Sequence, residues 1–65
     1  MQQFNVQGMT CGHCVKAVTR AIQGLDPQAV VEVDLSKALV RVQSGLASEA
    51  IAASIKEEGY AVAPL

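Results

Sequence analysis

The chain holds two cysteines and one histidine, and all three fall in the stretch "GMTCGHC", Gly8 to Cys14. Two thiols three positions apart support two chemistries. A dithiol cycles to a disulfide and exchanges with other thiols. A pair of thiolates grips a soft metal ion. Both depend on easily ionised sulfur. With Cys11 in a loop and Cys14 in the first turn of a helix, backbone N–H groups and the helix dipole favour negative charge there. Both thiols are therefore expected to ionise more readily than an ordinary cysteine. That expectation suits either chemistry.

The surrounding pattern supplies the helix. "FNVQGM" spaces Phe4 and Val6 two apart with polar neighbours, which predicts a short strand. From Cys11 the period changes: Val15, Val18, Ile22 and Leu25 make an apolar stripe flanked by Ala17 and Ala21. Lys16, Thr19, Arg20 and Gln23 take the other side of this amphipathic helix. Thr10 is the expected cap, and Gly24 followed by "DP" the expected stop. "AVVEVDL" alternates, with Val31, Val33 and Leu35 on one face. "LVRV" alternates again through Val40 and Val42 after a turn near Ser36–Lys37, so the two strands predict a hairpin. "SEAIAASIKEEG" returns to helical spacing with Ile51, Ala52 and Ile55 inward, Ser48 as cap and Gly59 as stop. "YAVA" is a last short strand. The order βαββαβ predicts an α+β ferredoxin-like sandwich: a four-stranded antiparallel sheet with two helices on one face and water on the other.

Composition narrows the function. At 65 residues the chain is one domain, residues 1–65. A disulfide between cysteines so close in sequence would constrain the unfolded chain very little. The fold must rest on apolar packing, which the 51% hydrophobic content allows although Phe4 and Tyr60 are the only aromatics. Five basic and six acidic residues, with no basic cluster and no aromatic set, argue against nucleic acid. No apolar run approaches a membrane span, so no membrane insertion is expected. "MQQFNVQG" has neither the charge nor the apolar run of a signal peptide. A cytoplasmic location follows as the expectation, with thiols kept reduced.

The metal reading gains from the scaffold. "CGHC" is also the redox motif of protein disulfide isomerases, but their thioredoxin fold is longer, usually has a Trp before the first Cys, and places a Pro against the dithiol. This chain has no Trp, and Pro27 and Pro64 are not well placed to face Cys11. Zinc commonly takes four ligands, whereas here Cys11, Cys14 and His13 have no second pair to join them. His13 would also point away from both neighbours at the start of a helix. Two soft thiolates suit an ion that accepts low coordination, Cu(I) or equally Hg(II). An open two-ligand site also lets a partner thiolate enter before one of the donor's leaves.

"GMTCGHC" after a short strand, with "GY" near the end of the chain, resembles the heavy-metal-associated domain from Phe4 to about Val62. Among its members the chain is most similar to free-standing bacterial copper chaperones. The resemblance implies no enzymatic activity and Cu(I) held by Cys11 and Cys14. It also implies delivery to the amino-terminal metal-binding domains of a copper-transporting P-type ATPase. Met9 then reads as a plug beneath the loop rather than as a thioether ligand. His13 is either an exposed helix-start residue or an accessory ligand that bridges a copper-linked homodimer. Tyr60 fills the core, donates a hydrogen bond toward a thiolate, or does both. Lys16 and Arg20 are candidate contacts for an acidic partner, and Glu57–Glu58 a solvated helix end. Gly8 and Gly12 permit a tight loop and access to the sulfurs. Three rivals stand: a domain cut from a copper ATPase or mercuric reductase, a thiol-disulfide oxidoreductase, and a copper buffer without a dedicated partner. A start just before the first strand and an end just after the last favour a free-standing protein over the excised domain.

Overall fold

The computed structural model describes residues 1–10 and 12–65; Cys11 lies outside the described residues. The chain runs β1 (Gln2–Gln7), α1 (Gly12–Leu25), β2 (Val30–Asp34), β3 (Leu39–Gln43), α2 (Ser48–Glu57) and β4 (Ala61–Pro64). The strands form one sheet in the order β2-β3-β1-β4, with every neighbouring pair antiparallel. β1 is therefore parallel to β2 across β3, and β3 is parallel to β4 across β1. These are two interleaved split βαβ units, the ferredoxin-like architecture expected from the sequence. Both helices lie on one face of the sheet, where their inner residues share one core with the strands.

The period-two pattern explains which side chains the helices cover. Phe4, Val6, Val40 and Val42 point inward and are fully buried with Val18 and Ile22 of α1 and Ile51 and Ile55 of α2. Burying each such side chain contributes about 2 kcal/mol. Register keeps the faces consistent, since Phe4 pairs with Val40 and Val6 with Val62. The open face carries Gln3, Glu32, Arg41 and Gln43, all exposed; Arg41 and Glu32 pair at 4.0 Å there.

The connections sort to two poles. At one, β1 runs out toward the motif, the β2–β3 turn arrives (the Val6 N–H donates to the Ala38 carbonyl at 2.8 Å) and α2 leads into β4, where Gln7 pairs with Ala61. At the other, Ser44 Oγ donates to Asp26 Oδ2 at 2.6 Å, and Gln2 Nε2 donates to the Leu46 carbonyl at 2.8 Å. These bonds tie the loops on either side of α1 and α2 together.

Four local expectations are corrected. Gly24 does not end α1: the helix includes Leu25, and the Asp26 N–H still donates to the Ile22 carbonyl at 3.0 Å. Pro27, which disfavours helical backbone in the residue before it, is the stop. Leu25 consequently lies at the frayed edge of its stripe and is 51% exposed. Ser48 is the first helical residue rather than the cap. Ala47 holds the extended cap geometry, with no side-chain bond. Leu35 falls in the turn and is exposed, because Asp34 ends the strand by accepting from Ser36 Oγ (2.6 Å) and from the N–H groups of Ser36 and Lys37. Gly59, at φ +97°, is the helix stop that was expected. The cap expected at Thr10 turns on the neighbouring position, Cys11, outside the described residues.

The Ser36 hydroxyl, then the Lys37 and Ser36 N–H groups, hold the Asp34 carboxyl below its ordinary value of 3.8. A depressed folded-state value means that the turn's contribution to stability is complete above 3.8 and is lost as pH falls below it through the folded-state value. Urea unfolding from pH 6 downward should therefore show a steeper acid loss for the parent than for Asp34→Asn, which keeps an acceptor oxygen but cannot titrate. Parallel curves would remove Asp34 from the acid transition.

Candidate metal centre

The motif sits where β1 leaves the sheet and α1 begins. Gly8 turns the chain at φ +97°, a conformation that side chains rarely adopt. A Cβ on Gly8 would stand 3.4 Å from Tyr60 Cδ1. The ring from the α2–β4 connection therefore lies directly against the loop that leads to the cysteines. Met9 follows, half-buried and packed on the core, as does Tyr60. Met9 thus packs on the core, and Tyr60 lies beside Gly8.

Beyond the loop, His13 is exposed and Cys14 half-buried, both in the first turn of α1. Successive helical residues point about 100° apart, so the imidazole and the thiol leave the helix in different directions. Cys11 was expected to complete the pair and lies outside the described residues. Gly12 has an ordinary helical backbone, and a Cβ there would meet nothing within 4 Å among the described residues beyond its chain neighbours. Only Gly8 of the two needs to be glycine on conformational grounds. No group of three or more His, Cys, Asp or Glu side chains gathers among the described residues in metal-binding proximity.

The prolines stand away from this pole. Pro64 pairs with Phe4, three residues up β1 from Gln7, and Pro27 follows the far end of α1. The opposite pole holds a cleft of about 420 Å³ lined by Gln2, Phe4, Ser48 and Pro64 among others, with no thiol or imidazole. Along α1, Lys16 and Arg20 are exposed and line a shallow groove of about 310 Å³ with Val15, Thr19 and Gln23. Val15, assigned to the buried stripe, forms part of that surface. Its position at the edge of the stripe is the signal that separates it from Val18 and Ile22.

A βαββαβ sandwich with the second cysteine of a CxxC in the first turn of its first helix defines a class of small metal-handling domain. The chain belongs to the heavy-metal-associated domain family, which matches residues 3–61. It is 39% identical over 62 residues to the copper chaperone CopZ of Staphylococcus aureus (strain bovine RF122 / ET3-1), covering 91% of each chain. It is 38% identical over 64 residues to copper-transporting ATPase 1 of Rhizobium meliloti (strain 1021), covering 95% of this chain but only 8% of that protein. The copper chaperone Atx1 of Synechocystis PCC6803, in a Cu2 form, superposes with a TM-score of 0.90 at 38% identity over 94% of this chain and 97% of that one. No helix among the described residues is long and apolar enough to cross a membrane.

Gly8→Ala should lower the unfolding free energy by about 1–2 kcal/mol, from the positive φ rather than from a clash. Gly12→Ala should leave stability equal or raise it by up to about 1 kcal/mol, as expected for alanine in a helix. Denaturant titration of the two variants side by side checks the contrast, and equal losses would contradict it.

Proposed function

We propose that the chain is a copper chaperone of the cytosol and not an enzyme. It carries one Cu(I) between Cys11 and Cys14 and hands it to the amino-terminal metal-binding domain of a copper-transporting P-type ATPase. The observation that carries this reading is the position of the motif. The loop is anchored from below by Met9 and Tyr60, while Cys14 stands in the first turn of α1 beside an exposed His13. A rigid frame behind Cys14 suits a carrier that must hold an ion and release it. The similarity to CopZ over nearly the whole length of both chains supports the chaperone role. The match to a short part of a copper ATPase supports a partner that carries a domain of the same kind.

Transfer follows from ligand count. A partner thiolate adds to the two-coordinate ion, giving a three-coordinate intermediate. One sulfur of this chain then leaves as a thiolate, and the ion keeps its oxidation state. Tyr60 directs its hydroxyl toward the thiolate pair and shields it. Met9 supports the loop without binding the ion. His13 stays outside the shell in the monomer. The same dithiol chemistry accepts Hg(II), so competition between the two ions is part of the test.

Reduced protein titrated anaerobically with Cu(I) against a competing chelator should take up one ion per chain, and Cys14→Ser should lose that tight uptake. Uptake by Cys14→Ser equal to the parent's would sink the proposal, and weak uptake by the parent would turn attention to disulfide exchange. In the same assay Tyr60→Phe should retain Cu(I) about tenfold less well with an unchanged unfolding midpoint, the signature of a partner behind the ligands. Unchanged retention would leave Tyr60 with packing alone.

A further inference from the structure

The chain carries two methionines, and the fold treats them in opposite ways. Met1 precedes β1 at the pole opposite the motif, is 60% exposed and lines the cleft there. Met9 lies in the motif loop, half-buried, with its side chain packed against the core cluster that includes Phe4, Val6 and Val18. A thioether is apolar and polarizable, which suits that place, but oxidation turns it into a polar, chiral sulfoxide. The buried members of the cluster are Phe, Val, Ile and Ala, with no side-chain donor among them for the new oxygen. The preceding residue, Gly8, is held at φ +97° against the ring of Tyr60. A sulfoxide at Met9 must therefore stay against apolar partners or swing out to water and draw the loop off the core. Either way the segment between β1 and α1 loosens.

We propose that Met9 is a modification site: hydrogen peroxide converts its thioether to the sulfoxide, and the loosened loop then gives up its cargo. The Met9 sulfur attacks one peroxide oxygen and the O–O bond breaks. That oxygen stays on sulfur while its proton passes to the departing oxygen, which leaves as water. Sulfur is oxidised by two electrons and the peroxide is reduced by two. Reversal takes the methionine sulfoxide reductases, one enzyme for each sulfoxide epimer. This site is distinct from the cysteines. Their oxidation gives a disulfide, which a dithiol reverses by exchange, whereas the sulfoxide survives that treatment. The proposal rests on the copper reading for the cargo alone, since the loosening of the loop needs no metal.

The parent, Met1→Leu and Met9→Leu are each treated with hydrogen peroxide, then reduced anaerobically with dithiothreitol, which is removed before assay. A thiol count confirms that both cysteines have returned, and peptide mass mapping locates each added oxygen. Chelator competition gives Cu(I) retention. In the metal-free protein, the emission of Tyr60, the one tyrosine of a chain without tryptophan, reads the loop. Treated parent and treated Met1→Leu should each retain Cu(I) about tenfold less well than before treatment, the loss expected when a polar oxygen is set among apolar partners. Their Tyr60 emission should change while circular dichroism still shows the fold, and the two reductases together should restore retention and emission. Treated Met9→Leu should match its own untreated sample. An equal loss in Met9→Leu overturns the proposal, as does complete Met9 oxidation with retention unchanged. Global unfolding of the treated parent, or a Met9 left unmodified while Met1 is converted, does so too. Poor uptake by the untreated parent counts against the copper reading alone, and Tyr60 emission unchanged by Met9 oxidation then overturns the loosening by itself.

Discussion

β1 is hydrogen-bonded on both sides, to β3 and to β4, and the rest of the molecule is arranged around that strand. Its inward residues, Phe4 and Val6, are fully buried in the core. An edge strand would leave one side unpaired and its end free to shift. A central strand fixes the point at which the chain leaves the sheet. The motif loop begins one residue past Gln7 and inherits that position. Gly8 then turns against Tyr60, so the loop is gripped by the last connection of the chain as well as by the first strand. The pairing of β4 with β1 brings Ala61 beside Gln7 at the candidate metal centre, while Pro64 pairs with Phe4 toward the opposite pole.

This anchoring bears on a tension built into any carrier. More ligands and deeper burial would hold an ion more tightly and release it more slowly. In this chain the packed side chains lie in the loop before Cys14 and in the connection that reaches it. Met9 and Tyr60 pack on the core, while His13 and Gly12 remain exposed. Ordering is thereby provided before the ion arrives, so less conformational freedom is lost on binding.

The helices contribute charge as well as cover. Their inner faces supply Val18, Ile22, Ile51 and Ile55 to the core, which leaves the outer faces under no packing constraint. α1 uses that freedom for cations and the end of α2 for a net negative charge. Antiparallel helices over one sheet necessarily bring one N-terminus and one C-terminus to the same pole. The backbone dipoles and the side chains there consequently reinforce one another.

Much of this was legible in the residue order. Period-two runs through Phe4 and Val6 and through Val40 and Val42, and helical spacing through Val18, Ile22, Ile51 and Ile55, determined the element order and the core. The motif with its surroundings determined the family. These signals are local and repeat along the chain, so no tertiary knowledge is needed to read them. The tertiary structure decided what hangs on single positions. Leu25 and Leu35 fit the apolar pattern yet stand exposed, because Pro27 and the Asp34 turn set where their elements end. Gly24 looks like a stop and is helical, Ser48 looks like a cap and is not, and Gly12 resembles Gly8 but does not share its backbone. That Tyr60 lies on Gly8, 52 positions away, follows from the pairing of β4 with β1. Contacts between distant segments depend on strand order, and a linear pattern of hydrophobic and polar residues carries that order only indirectly.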